Sequence, residues 1–280
     1  MKSIVSLVCC LIALFLSLPV QAQVDVHVEP TRRTMLLGEN VIVKVTFVNH
    51  TDAKISLTNS PEHQWLSFSV HESGQSYNMR PLARTRFPKL ELSPGARKSY
   101  EVNLSPYFNF QRANNYQVVA SVVMPDGVTT YSSARAPFLL SAGSEVRSFR
   151  VQLRGHRMKI SVRMLMLNQK TCLFGQVYDM DSDRVVGACY LGQHLNFQKP
   201  SIMLDSAQNL HCLVQSTPVY FTYSVMDTHG RRSTCKIMER SGGPVSLSGT
   251  GRGISPVGVV PYVKKPAKQE DEHNITDRPF

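Results

Sequence analysis

Val146–Cys172 reads VRSFRVQLRGHRMKISVRMLMLNQKTC. A two-residue turn at Gly155-His156 folds its flanks into a β-hairpin, and glycine at the first central position suits a type II′ turn. In that register Leu153 opposes Met158, Val151 opposes Ile160 and Phe149 opposes Val162, so six apolar residues share one face. The opposite face carries Arg150, Arg154, Arg157, Lys159 and Arg163. Arg154 then directly faces Arg157, and Arg150 faces Ser161. From Val146 to Tyr178 the chain holds seven Lys/Arg and no Asp or Glu. The stretch therefore predicts a strand pair with an apolar underside and an uncompensated cationic top.

The strand pair belongs to a chain of 280 residues with a formal charge of +11. Met1-Lys2-Ser3 precedes an apolar run, Ile4–Val20, and then Gln21-Ala22-Gln23. A basic start, an apolar centre and small residues before a cut form a secretory signal. Residues 1–22 are expected to be removed, and the exported protein to begin at Gln23 and be periplasmic or secreted. After cleavage no second apolar stretch is long enough to span a bilayer. A hydrophobic share of 42% is enough for packed cores.

Residues 23–141 alternate as strands. Val24, Val26 and Val28 are followed by Val41–Phe47, Leu66–Val70, Tyr100–Leu104 and Tyr116–Val122, with turn signals such as Ser93-Pro94-Gly95 and Pro125-Asp126-Gly127 between them. Trp65 reads as sandwich core beside Leu66, Phe68 and Val70. Met79–Lys89, with Arg80, Arg84, Arg86 and Lys89, reads as a solvated basic loop. Leu92-Ser93-Pro94-Gly95, then Tyr100–Ser105, then Tyr116–Ala120 resembles the pattern of immunoglobulin-like domains of secreted bacterial proteins. The resemblance implies a β-sandwich and no chemistry. Asn114-Asn115 stand where that pattern has a glycine, and an asparagine can take the left-handed conformation there.

A small polar stretch, Ser141–Glu145, marks a domain junction. The second domain, residues 146–241, contains a repeat: Met180–Cys189 matches Met226–Cys235 without gaps. Each copy reads as a strand, a polar turn and a strand. The spacing is that of propeller blades, and this half resembles the blade-like modules of uncharacterised exported bacterial proteins. Two copies cannot close a propeller, which leaves an open or sandwiched β-module. The fold class expected is thus all-β: an immunoglobulin-like sandwich followed by a second antiparallel module with propeller-blade-like repeats. Residues 242–280 are rich in Gly, Pro and charge and read as a mostly disordered tail, although the apolar run in Ser255–Val263 could dock as an edge strand.

Chemistry is sparse. Asp179-Met180-Asp181-Ser182-Asp183 has the look of a calcium loop, but Arg184 and Tyr190 stand where an EF-hand needs Gly and Glu. An acidic hairpin turn explains it, and no metal is expected. No histidine spacing, nucleophile elbow or phosphate loop stands out, so no catalytic residue and no cofactor is assigned. With the first repeat as a hairpin looping at Asp179–Ser182, Cys172 opposes Cys189. A Cys172–Cys189 disulfide and a set of small buried thiols are the two readings.

Two functions fit this reading. The first is a non-catalytic exported binding or scaffold protein of the cell envelope. Its basic hairpin (Arg150, Arg154, Arg157, Lys159, Arg163) would contact an anionic polysaccharide, an anionic lipid surface or an acidic protein. An exported location argues against nucleic acid. The second is a hydrolase of envelope polysaccharide using carboxylates of the second domain, among them Asp179, Asp181, Asp183, Asp205, Asp227 and Glu239.

Overall fold

The computed structural model describes residues 24–60, 62–84, 87–250 and 253–263. The signal sequence with its cut before Gln23, and residues 264–280 of the expected tail, lie outside these. The described chain is all-β, with no helix among its residues, and hence none long and apolar enough to cross a membrane. It divides into two compact units, Met1–Ala142 and Gly143–Phe280.

In the first unit, β1 (Val24–Pro30), β3 (Ile42–Asn49) and β7 (Arg97–Asn103) form one sheet in the order β1-β3-β7. The second sheet runs β2-β10-β8-β5, made of β2 (Thr34–Leu36), β10 (Ala136–Ser141), β8 (Asn114–Val123) and β5 (Leu66–Glu72), with β9 (Thr130–Ser132) on β8. A short pair, β4 (Ile55–Leu57) and β6 (Leu90–Leu92), stands apart. The period-2 pattern decides the faces: Tyr116, Val118, Ala120 and Val122 of β8 are buried, as are Val43, Val45 and Phe47 of β3. Trp65 is buried, as expected, with its ring 5.6 Å from that of Phe47. Tyr116 stacks on Phe138 at 5.5 Å, and its hydroxyl donates to the Arg112 carbonyl at 2.8 Å. Such a bond from the start of a strand back to the preceding corner, two facing sheets and a parallel β2/β10 edge are all compatible with an immunoglobulin-like sandwich. One detail differs from expectation. Asn114 and Asn115 are not left-handed; both extend the start of β8, and Asn114 Nδ2 donates to the Ser73 carbonyl at 2.9 Å.

The second unit opens with a four-stranded antiparallel meander: β11 (Ser144–Leu153), β12 (His156–Leu167), β13 (Lys170–Asp179) and β14 (Arg184–Gln193). A second meander holds β15 (Ser201–Leu204), β16 (Leu210–Gln215), β17 (Tyr220–Met226) and β18 (Arg232–Arg240). The two sheets share a core. Met158, Ile160, Val162, Leu173, Val177 and Leu191 come from the first, and Ile202, Leu210, Cys212, Val214 and Met226 from the second. Phe149, Val151 and Leu153 pack against it, so the apolar underside expected of the opening hairpin is found. Each fully buried side chain of this kind contributes roughly 1.5–3 kcal/mol.

The repeat lies at matching places in the two meanders, spanning the β13–β14 and β17–β18 turns. These ends touch backbone to backbone. A Cβ added to Gly187 would lie 2.4 Å from the His229 carbonyl oxygen, and one added to Gly230 would lie 2.4 Å from the Gly187 carbonyl carbon. Two stacked meanders are compatible with blade-like modules and form no closed ring.

The expected disorder beyond Gly242 is corrected for the residues described, whereas the edge strand expected within Ser255–Val263 is found. β19 (Ser246–Thr250) and β20 (Gly253–Val257) form a hairpin, and β21 (Val259–Pro261) adds to β18 as a fifth strand. Val245, Leu247 and Val259 are buried against Leu213, Phe221, Tyr223 and Met238 on the outer face of the second sheet. Glycine and proline content misled here because the apolar residues that matter are few and isolated. That outer face would otherwise be exposed, so three apolar residues suffice to order the segment.

Candidate functional site

The cationic hairpin forms, with a different turn. Arg154 (φ +51°) and Gly155 (φ +86°) are the two loop residues, and Leu153 pairs with His156. Positive φ at both positions is the type I′ signature, whose twist matches that of the strands it joins. The turn therefore sits one residue earlier, and every cross-strand partner moves by two residues. Val151 opposes Met158 and Phe149 opposes Ile160, while Arg150 opposes Lys159 and Arg157 opposes Gln152. Arg154 faces no cation across the ladder. Because the shift preserves parity, both faces keep their residues. Arginine is strained at a left-handed position and asparagine is far less so. Arg154→Asn should therefore raise the free energy of unfolding by up to about 1 kcal/mol, read as a higher denaturant midpoint at unchanged slope.

The cationic top is not uncompensated. Glu145, one residue outside the basic stretch, accepts Lys159 Nζ at 2.6 Å and lies 3.5 Å from Arg163. Those contacts, Lys159 first and then the Ser148 hydroxyl, hold its carboxyl below the usual range. Asp181, just beyond the other end, accepts the Arg157 backbone N–H at 2.7 Å and its Nε at 2.6 Å. These bonds lower the Asp181 pKa. Arg150 and Arg154 are exposed and make no ion pair among the described residues. Antiparallel folding brings residues just outside the basic run onto it, which counting along the chain could not register.

The acidic turn behaves as an Asx-rich loop. Asp179 Oδ1 accepts the N–H groups of Asp181 at 2.9 Å and Ser182 at 3.3 Å. The Tyr178 hydroxyl donates to Asp183. His156, Asp179 and Asp181 bring one ligand atom each within 4.8 Å of one another. Both oxygens of Asp181 are already held by Arg157, so the cluster is explained by the turn.

The disulfide register is corrected. Cys172 pairs with Gln193, and Cys189 with Gly175. The loop spans Met180–Asp183, and bulges at Leu173/Phe174 and Val177/Tyr178 shift the ladder further. Cys172, Cys189, Cys212 and Cys235 form no disulfide among the described residues. Burial, with Cys189 nearby, pushes the Cys212 thiol up to about 12.

The acids of the second unit have local partners. Asp227 Oδ1 accepts the N–H groups of His229 and Arg231 at 2.9 and 2.8 Å. Asp205 belongs to a network that sequence reading missed. His211 Nε2 lies 3.1 Å from Asp205 Oδ2, and Nδ1 lies 2.7 Å from the Tyr223 hydroxyl. Burial alone would raise the Asp205 pKa, but bonds from Asn209 and His211 outweigh it and the net shift is downward. The order acid, imidazole, hydroxyl is that of a proton relay. His211 and Tyr223 are both buried, which favours a satisfied polar network anchoring β16 to β17. A pairing of Leu213 with Tyr223 would have revealed it, but that register depends on a turn whose length the sequence leaves open. No family model matches the chain, and no curated protein matches it.

Proposed function

We propose that this is a non-catalytic exported binding or scaffold protein of the cell envelope, periplasmic or secreted, that contacts an anionic polymer through the β11–β12 hairpin. Its export rests on the leader-like Met1–Ala22. The observation that carries the contact is Arg150. It lies directly opposite Lys159, without a counter-charge among the described residues, and the exposed Arg154 stands at the tip of the same hairpin. Like charges in direct opposition destabilise a ladder, and an anionic ligand relieves that repulsion. Arg157, Lys159 and Arg163 are held by Asp181 and Glu145 and shape the face around the two free cations.

Surface charge is screened over about 10 Å at 0.1 M salt, so binding to an acidic polysaccharide should fall steeply as salt rises. An Arg150→Ser/Arg154→Asn double variant should fold at least as stably as the parent and bind several-fold more weakly in low salt. Equal binding by parent and variant on a polysaccharide-coated sensor would reduce the hairpin to a solvated surface.

A further inference from the structure

The sheets of the first unit end in β5 on one side and β7 on the other, and these two edges border one cleft of about 390 Å³. Tyr100, Glu101, Val102 and Asn103, four successive residues of β7, line it. Side chains alternate along a strand, so a wall of successive residues is the strand's edge, where outward N–H and C=O groups have no ladder partner. The other walls are Trp65, Phe87, Pro88 and Tyr107. Packing fixes these rings: Phe87 meets Trp65 edge-on at 6.1 Å and Phe68 at 5.9 Å. Asn59 Nδ2 donates to the Phe87 carbonyl at 2.8 Å, and the Leu82 N–H donates to the Tyr107 carbonyl at 2.8 Å. Phe87 and Pro88, at the end of the basic stretch, thus form part of the cleft wall.

The charges beside the cleft select the ligand. Among the described residues Glu101 is the one charged residue lining the cleft, and a smaller adjoining cavity of about 110 Å³, which shares Tyr107, is lined by Arg84.

We propose that this cleft takes up an extended peptide of a partner protein, added along the edge of β7. The peptide seats alternate apolar side chains against the aromatic wall and turns a basic residue toward Glu101. An extended chain supplies hydrogen-bonding groups at strand spacing, which is how strand addition gains affinity while side-chain pockets give specificity. Glu101 in the larger cavity and Arg84 in the adjoining one offer such a segment charges of opposite sign.

Trp65 is the single tryptophan of the chain, so its fluorescence reports on this cleft alone. The chain from Gln23 onward would be titrated with a panel of synthetic peptides of about eight residues, alternating valine and threonine with an arginine at one end. Each would be paired with a copy N-methylated on alternate backbone amides. The expected result is a saturable change in Trp65 emission with an unmethylated peptide and at least about tenfold weaker binding by its methylated copy. Tyr107→Ala, which keeps the backbone bond to Leu82, should weaken binding of the fluorescein-labelled peptide by about tenfold. Glu101→Gln should abolish the preference for arginine. Equal binding of methylated and unmethylated peptides overturns strand addition. So does the absence of saturable binding across the panel, or unchanged affinity in a folded Tyr107→Ala variant.

Discussion

A chain ending at Ser241 loses the cooperative thermal transition of its second unit. Composition alone marks residues 242–263 as dispensable, but Val245, Leu247 and Val259 are buried on the outer face of the second sheet, and β21 pairs with β18. Removing three buried aliphatic side chains costs roughly 1.5–3 kcal/mol each. The cut also uncovers Leu213, Phe221, Tyr223 and Met238. The combined loss approaches the whole stability of a domain, about 5–15 kcal/mol. A chain ending at Val263 keeps all of these contacts and should melt like the parent. Thermal unfolding by circular dichroism, with a dye that binds exposed apolar surface, separates the two. A Ser241-terminated chain that melts at the parent temperature without binding dye would show that β19–β21 are not part of the folded unit.

Gly187→Val should come close to the same outcome with a single substitution. Its Cβ would stand 2.4 Å from the His229 carbonyl oxygen, and that atom belongs to backbone rather than to a side chain that can rotate away. Overpacking typically costs about 1–3 kcal/mol, and more when backbone has to move. Gly230 meets Gly187 from the other side at φ +77°, so Gly230→Ala adds a left-handed penalty of about 1–2 kcal/mol to the same clash. Gly175→Ala is the informative contrast. Its Cβ would meet Met226 Sδ at 2.4 Å, the flexible end of a side chain, and Leu210 Cδ2 at 3.3 Å. Urea denaturation should rank Gly187→Val far below Gly175→Ala in midpoint. Equal midpoints would mean that the two repeat turns do not bear on each other.

Period-2 alternation was enough to read the main strands of both units and the faces of β11 and β12. Burial of one face sets that pattern, and parity survives a shift of two residues in the cross-strand partner. The short strands were not legible. Ala136–Ser141 closes the second sheet of the first unit as β10, although its six residues contain a proline and run into the polar junction.

The pairings emerged only in the folded chain. Type I′ geometry at Arg154-Gly155 put Gln152, in place of Arg154, opposite Arg157. Two bulges moved Cys172 away from Cys189. Glu145 and Asp181 reached the basic face from outside the basic run, and Trp65 proved to be both core and cleft wall. The physical reason is common to these cases. Which side of a strand is buried depends on residues two apart, so it is written in the local sequence. Which residue stands opposite depends on turn conformation and bulges, each a matter of one or two φ angles, and on packing between layers that the chain brings together only when folded.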